Sequence, residues 1–249
     1  MGMMAVTRAY YTHVPNVDVF YYMYSPTQVA DVCLAGDVLT FRGEETLVPG
    51  CLDKTMRALQ YFEPRFDKYR YIFRTNISTI VNVEVFRRTY DVDEHTAPYA
   101  YGGPGIAVIA PSWRDPASGI VDGRYTGTKF VGGTCIIMSV HTARTLAAST
   151  SIMDRSVVDD VAIGRAVAMV LPDVSLQWFS SANWDVPNFG GDTDRLRTAV
   201  VSRAATCAFY RNKNCPDRDV DVQQMKVITQ VLQGQLEEGC SAGKEKTDG

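Results

Sequence analysis

The chain has 249 residues, of which 46% are hydrophobic, so it can bury a substantial core and is not a disordered chain. Its formal net charge of -3 gives no reason to expect a nucleic-acid partner, although clustered Arg and Lys could still form a local anion site. Six cysteines without zinc-type spacing predict mostly reduced core thiols. Because the sequence shows neither a membrane-spanning apolar run nor an N-terminal signal pattern, we expect a soluble cytoplasmic protein.

The first part of the chain predicts helices and strands in alternation. Apolar spacing and β-branched runs mark a helix at residues 3–12, strands at 17–24 and 38–41, and a helix at 49–61. Such alternation is typical of a mostly parallel sheet flanked by helices. We therefore predict an α/β fold.

An apolar, strand-like run that ends in small polar residues occupies residues 68–82. Tyr71, Ile72 and Phe73 have the character of a buried strand, and residues 74–78 would leave its carboxyl end. Ligands of open α/β sheets bind at that end. The same polar residues also favour an ordinary turn, so composition alone leaves a ligand site and a turn about equally favoured.

The second part of the chain begins with an aromatic loop at residues 90–129. Its Gly102-Gly103-Pro104-Gly105 run lacks the features of a phosphate loop. Beyond it the pattern predicts a strand at 130–139, helices at 141–148 and 156–168, strands at 174–179 and 205–214, and a last helix from 216. We predict one domain over residues 1–233 and a polar, disordered tail at 234–249.

Two adjacent carboxylates, Asp159 and Asp160, lie near the start of one predicted helix. Ser156 followed by Asp159 fits the acidic form of a capping box, which gives Asp159 a structural role. Asp160 has no such role. A carboxylate at a helix start beside an apolar run can be tuned by burial and by its neighbours to act as a general base.

Four segments share the order and the motifs of one family. They are Leu-x-Lys-Thr at 52–55, Arg-Thr-Asn-Ile-Ser at 74–78, a Gly-Gly strand ending in Ser at 131–139 and Asp-Asp-Val-x-x-Gly at 159–164. A weaker fifth segment is the basic strand at 210–214. Over about residues 15–232 the chain thus resembles nucleotide-sugar glycosyltransferases of the GT-A fold, similar to the fringe and β-1,3-galactosyltransferase group and to related viral, algal and bacterial enzymes.

The resemblance implies a Rossmann-like GT-A fold and transfer of a sugar from a nucleoside diphosphate sugar to a hydroxyl of a glycan, glycoprotein or other acceptor. It implies inversion at the sugar, with Asp160 as the base. The donor would be bound by Lys54, Arg74, Thr75, Asn76, Ser78, Arg211, Lys213 and Arg218. The acceptor or sugar pocket would contain Gly132, Gly133, Asp159 and Trp184.

The chain departs from the family pattern at the metal site. Asn76, Ile77 and Ser78 stand where the family has aspartates, and no late histidine completes the site. Because neutral oxygens are weaker ligands for hard cations than carboxylates, we predict no metal or other cofactor, with weakly bound Mg²⁺ or Mn²⁺ as the alternative. Arginine and lysine side chains would then neutralise the diphosphate.

Two other hypotheses remain open. A catalytically degraded GT-A domain that only binds sugar or nucleotide, or has a structural role, is favoured by the lost metal ligands. The family's first sheet strand also has no counterpart here, so we expect the chain to lack its beginning. An unrelated nucleotide-binding α/β enzyme would need a glycine phosphate loop, which the sequence does not contain.

Overall fold

A computed structural model describes residues 2–90, 100–174, 176–179, 182–213 and 216–244. The chain forms two compact units. Unit 1 comprises Met1–Val19, Asn76–Asp91 and Ser181–Gly249, and unit 2 comprises Phe20–Thr75 and Val92–Ser180. The sequence predicts one domain over residues 1–233, and both units contain residues of this span.

Each unit contains both helices and strands. In chain order they are α1 (Met3–Tyr11), β1 (Tyr21–Ser25), β2 (Val32–Ala35), β3 (Val38–Arg42), α2 (Gly50–Phe62), β4 (Tyr71–Thr75), β5 (Thr79–Val81), α3 (Val83–Tyr90), β6 (Tyr101–Gly103), β7 (Ile106–Val108), β8 (Lys129–Val131), β9 (Cys135–Ser139), α4 (Val140–Ala148), α5 (Asp159–Val170), β10 (Leu176–Trp178), β11 (Asn183–Asp185), α6 (Thr193–Val201), β12 (Phe209–Arg211) and α7 (Arg218–Lys244). The predicted α/β class is confirmed.

Unit 2 contains a four-stranded sheet in the order β10-β6-β9-β4, a three-stranded sheet β1-β3-β2 and the pair β7-β8. The expectation of a mostly parallel sheet is wrong. Among the strand pairings of the described residues, three are parallel and five are antiparallel. Periodicity marks a strand but not its direction, and β9 runs against both of its neighbours.

Helices α2, α4 and α5 pack together around the apolar core of unit 2. Helix α5 also lies directly on β8, because Gly164 has no side chain. A Cβ atom at that position would lie 2.5 Å from Phe130 Cβ and 2.7 Å from the carbonyl oxygen of Lys129. The close approach fixes the position of the helix that begins with Asp159 and Asp160.

The region predicted as a long loop contains short strands. Residues 100–131 supply β6, β7 and β8, while residues 91–99 lie outside the described part. Gly102 and Gly103 belong to β6, where a Cβ at Gly103 would overlap Val131 Cγ1 and the carbonyl oxygen of Cys135. These glycines therefore permit close strand packing. The predicted strand at 130–139 is two strands, separated at Gly132 and Gly133.

Unit 1 is built on the sheet β11-β12-β5, in which β12 runs parallel to β11 and antiparallel to β5. Helix α7 packs against α1 and α6. The helix continues through Gly234 to Lys244, so residues 234–244 are helical where the sequence predicts a disordered tail. Residues 245–249 lie outside the described part. None of the described helices combines the length and the apolar character needed to cross a membrane.

The cysteines agree in part with the expectation of reduced core thiols. Cys135 and Cys207 are buried, Cys51 is half-buried and Cys33 is exposed, and all four are free. Neither Cys215 nor the side chain of Cys240 belongs to the described part of the structure.

Candidate active site

Asp160 is the second residue of α5, where the first turn of the helix has backbone N–H groups without helical partners. Its Oδ1 accepts a hydrogen bond from the Val161 N–H at 2.9 Å. Its Oδ2 accepts one from the Gly133 N–H at 3.1 Å. Because the side chain is only half-buried and each oxygen keeps a free lone pair, this carboxylate can still accept a proton from a ligand.

Asp159 does not cap the helix. The residue before α5 is Val158, which makes no capping bond, and Ser156 bonds instead to Asp154. The predicted capping box is therefore wrong. Asp159 forms an ion pair with Arg74 of β4, and these side chains are 11% and 10% exposed. A buried carboxylate requires such a partner.

Arg74 contacts both Asp159 and Gly133, and Gly133 is hydrogen-bonded to Asp160. One nitrogen of its guanidinium donates to Asp159, and another donates to the Gly133 carbonyl oxygen at 2.6 Å. Gly133 in turn donates its N–H to Asp160. A Cβ at Gly133 would lie 3.0 Å from Arg74 Nη1, so a glycine lets the guanidinium approach this closely.

Arg74 also interacts with a hydroxyl group within unit 2. Tyr22 acts to raise the pKa of Arg74, and its hydroxyl lies 3.1 Å from Thr55 Oγ1. Since Thr55 donates its own proton to the Cys51 carbonyl oxygen, Tyr22 is the donor in its bond to Thr55. Burial alone would lower the pKa of Arg74, but Tyr22 and Asp159 raise it above its ordinary value.

The pKa of Asp160 is raised above its ordinary value of 3.8. Burial is the largest cause and the neighbouring charge of Asp159 is the second, whereas the N–H groups of Gly133 and Val161 and the charge of Arg74 act in the opposite direction. Burial disfavours the ionised form and the N–H groups favour it. The net effect is a carboxylate that is more basic than an exposed one.

We expect the unfolding free energy of the wild-type chain, relative to that of Asp160→Asn, to fall as the pH rises through the raised pKa. The folded chain binds this proton more tightly than the unfolded chain does. The stability that results is therefore complete below the unfolded-state pKa and is lost as the pH rises through the folded-state pKa.

Urea unfolding at a series of pH values, from below the ordinary carboxyl pKa to neutrality, measures this difference. Asp173→Asn, at an exposed turn of the same unit, serves as the control and should remain parallel to the wild type. A relative stability that rises with pH would contradict the direction of the pKa shift.

Other predicted residues of unit 2 lie around this group. Lys54 of α2 pairs with Glu45 at 2.5 Å. Burial raises the pKa of the Cys51 thiol, and the charge of Lys54 lowers this pKa while that of Glu45 raises it. Thr75 ends β4 opposite Cys135 of β9. Gly132 precedes Gly133 and donates its N–H to the Gly105 carbonyl oxygen at 2.8 Å. Arg74, Gly133, Asp159 and Asp160 are thus the predicted residues that the structure brings into direct contact.

The remaining predicted residues belong to unit 1. Asn76 and Ser78 precede β5, and Ser78 is buried with its carbonyl oxygen accepting from the Asn212 N–H at 2.8 Å. Arg218 pairs with the buried Asp221 at 2.5 Å. The other three are Arg211, which ends β12, Lys213, which is exposed, and Trp184, which lies on β11.

The polar atoms at the end of β4 do not fit a tightly held divalent cation. Asn76 and Ser78 offer an amide and a hydroxyl, whereas Mg²⁺ and Mn²⁺ are usually held by carboxylates. In the part of the chain that the structure describes, no group of three or more His, Cys, Asp or Glu side chains could hold a metal ion.

No model of a protein family matches the chain, and no curated protein matches it. The glycosyltransferase resemblance therefore still rests on the short motifs alone.

Tyr22, Thr55 and Tyr101 take part in the site but were not predicted from sequence. Tyr101 is buried, and its hydroxyl accepts from the Val131 N–H at 3.4 Å. Burial raises its pKa, and the charges of Asp159 and Asp160 raise it further. In the sequence Tyr22 has only the features of a strand residue, Thr55 ends the Leu-x-Lys-Thr motif without an assigned role, and Tyr101 lies in the predicted aromatic loop.

Proposed function

We propose that the protein is a glycosyltransferase that moves a sugar from a nucleoside diphosphate sugar to an acceptor hydroxyl, with Asp160 as the base. The observation that carries the proposal is the half-buried Asp160 carboxylate, which is held by two backbone N–H groups and has a raised pKa. A general base is most effective when its pKa approaches the working pH. The four motifs in their family order supply the reaction class.

In the proposed reaction the acceptor hydroxyl gives its proton to Asp160 while its oxygen bonds to the anomeric carbon of the donor sugar. The bond from that carbon to the diphosphate oxygen breaks, and its electron pair leaves with the nucleoside diphosphate. Attack from the face opposite the leaving group inverts the sugar. Arg74, through the Gly133 carbonyl, keeps the Gly133 N–H directed at Asp160 and so orients the base.

Stabilisation of the departing diphosphate needs positive charge or N–H groups. Three of the predicted cations have internal carboxylate partners, since Arg74 pairs with Asp159, Arg218 with Asp221 and Lys54 with Glu45. Arg211 and Lys213 belong to unit 1, and their assignment to the donor rests on the sequence alone. With neutral oxygens at Asn76 and Ser78, we propose that turnover depends little or not at all on Mg²⁺ or Mn²⁺.

Turnover that persists in EDTA is the expected result of a donor screen. The full chain is incubated with a panel of nucleoside diphosphate sugars, with and without acceptor sugars, and released nucleoside diphosphate is measured in EDTA, Mg²⁺ or Mn²⁺. Release from one donor at similar rates in all three conditions would support the proposal. Activity that EDTA abolishes would refute metal independence, and absence of binding and release with every donor would refute glycosyl transfer.

A second candidate is a domain that binds a sugar or nucleotide without turnover, or has a structural role. The pairing of Lys54, Arg74 and Arg218 with internal carboxylates favours it, because these are three of the five cations predicted to bind the donor. In the same screen this candidate predicts donor binding by calorimetry without release of nucleoside diphosphate.

A further inference from the structure

Unit 1 contains an open cleft of about 480 Å³, within the size range of small-ligand sites. One wall is formed by Trp184, Pro187 and Phe189, and the other by α6 and the turn that follows it. The second wall consists of residues spaced at helical intervals, namely Arg195, Thr198, Ala199, Ser202 and Arg203. This spacing places Arg195, Thr198 and Ala199 on one face of α6, and Ser202 and Arg203 follow in the turn.

The two arginines of the cleft are held by aromatic rings. The guanidinium carbon of Arg203 lies 4.5 Å from the centre of the Trp184 ring, and that of Arg195 lies 5.9 Å from the centre of the Phe189 ring. In the described part of the chain, neither guanidinium pairs with a carboxylate, whereas Arg203 Nη1 donates to the Ala199 carbonyl oxygen at 3.1 Å and to Ser202 Oγ at 3.2 Å. A stacked guanidinium keeps N–H groups at its edge that can donate to an oxyanion.

The two hydroxyls of the cleft have little capacity left to donate. Thr198 Oγ1 donates to the Asp194 carbonyl oxygen at 3.0 Å, and Ser202 Oγ donates to that of Ala199 at 2.9 Å. Each hydroxyl has a single proton, so what remains for a ligand is acceptor capacity. Ser202 Oγ already accepts from Arg203 Nη1 at 3.2 Å and keeps one lone pair for a ligand. A matching ligand therefore carries hydroxyl groups that donate to Thr198 and Ser202 and an oxyanion that accepts from the arginines.

We propose that this cleft binds an anionic sugar, in which a phosphate or carboxylate meets Arg195 and Arg203, sugar hydroxyls meet Thr198 and Ser202, and the ring lies against Phe189. The argument uses only unit 1 and does not depend on the proposed glycosyl transfer. Phosphate and carboxylate share the chemistry that two guanidinium groups recognise, namely paired oxyanion acceptors.

Isothermal titration calorimetry of the full chain with glucose 1-phosphate, glucuronate and glucose tests the proposal. These probes share a pyranose ring and differ in the oxyanion. We expect at least one anion to bind at least about tenfold more tightly than glucose, because hydrogen bonds to charged groups are stronger than neutral ones. The tighter anion distinguishes a phosphate site from a carboxylate site, and added salt should weaken its binding.

The double variant Arg195→Gln/Arg203→Gln should lose about tenfold or more in affinity for that anion. Arg197→Gln is the matched control, since Arg197 belongs to the same helix but lies outside the cleft lining, with its guanidinium near Gln230. Thermal unfolding followed by circular dichroism establishes that all variants are folded.

Several outcomes would overturn the proposal. They are equal affinity for glucose, no binding of either anion at millimolar concentration, unchanged affinity in the double variant, or an equal loss in Arg197→Gln. Binding of oligothymidylate without binding of either monosaccharide anion would assign the cleft to single-stranded nucleic acid instead.

Discussion

Turnover is expected to fall about 10²–10⁴-fold when Asp160 is replaced by Asn, the usual contribution of a positioned general base. Asn keeps the size of the side chain but cannot take a proton from the acceptor. Because the substitution leaves the remaining donor groups in place, the loss should appear in kcat, with little change in donor affinity. Initial rates with the donor found in the screen, together with donor titration, measure both quantities.

Asp173→Asn is the control for this experiment, since Asp173 lies at an exposed turn after α5 and should leave turnover unchanged. The acid limb of the wild-type pH profile should lie above the ordinary carboxyl value of 3.8, because the pKa of Asp160 is raised. If Asp160→Asn retains most of the wild-type rate, Asp160 is not the base, and the binding-only candidate or another carboxylate has to be considered.

The second large effect is expected on stability. Replacing Arg74 by Met should cost about 3–5 kcal/mol, the range found when one partner of a buried ion pair is removed. Methionine approximates the length of the side chain but leaves Asp159, which is 11% exposed, without its counter-charge, and leaves the Gly133 carbonyl oxygen without this donor. Urea denaturation at neutral pH measures the change.

Arg144→Met provides a matched comparison in the same unit. Arg144 pairs with Glu63 and Asp67, whose side chains are 39% and 79% exposed, so its loss should cost far less stability than the loss of Arg74. Adding Asp159→Asn to Arg74→Met should recover part of the lost stability, because the unpaired buried charge is then absent. Equal losses of unfolding free energy in Arg74→Met and Arg144→Met would contradict the expectation that burial makes the loss of the Arg74–Asp159 pair more destabilising.

Helices with a clear apolar period could be predicted from sequence. Helices α1, α2 and α4 lie within a residue or two of their predicted bounds, because apolar spacing reports directly which face is buried. Helices α3 and α6 were missed. In α6 only Leu196 and Val200 are buried. Two buried positions are too few to produce a clear helical period of apolar residues in the sequence.

Strand direction and side-chain partners could not be predicted in the same way. The direction of β9 depends on neighbours that are distant in the chain. The capping box at Ser156 and Asp159 failed because a local motif competed with a long-range partner, and Arg74, 85 residues away, pairs with Asp159 instead.

The candidate site was predicted in part. Asp160 and Gly133 were selected as separate motif residues, and the structure joins them by a hydrogen bond. Arg74 was selected as a ligand for diphosphate, whereas its guanidinium bonds internally to Asp159 and Gly133. An arginine at the end of a strand has the same appearance in sequence whether it meets a ligand or a buried carboxylate. Only the three-dimensional structure shows which of these two partners the guanidinium contacts.

The division of the chain has a consequence for the order of synthesis. Unit 2 draws on no residue beyond Ser180, whereas unit 1 needs α7, which packs against α1 at the other end of the chain. During translation, therefore, the contacts among Arg74, Gly133, Asp159 and Asp160 can form while the last quarter of the chain is still on the ribosome. The apolar face of α1 stays exposed until α7 has been synthesised, so apolar surface of unit 1 remains exposed longest on the nascent chain.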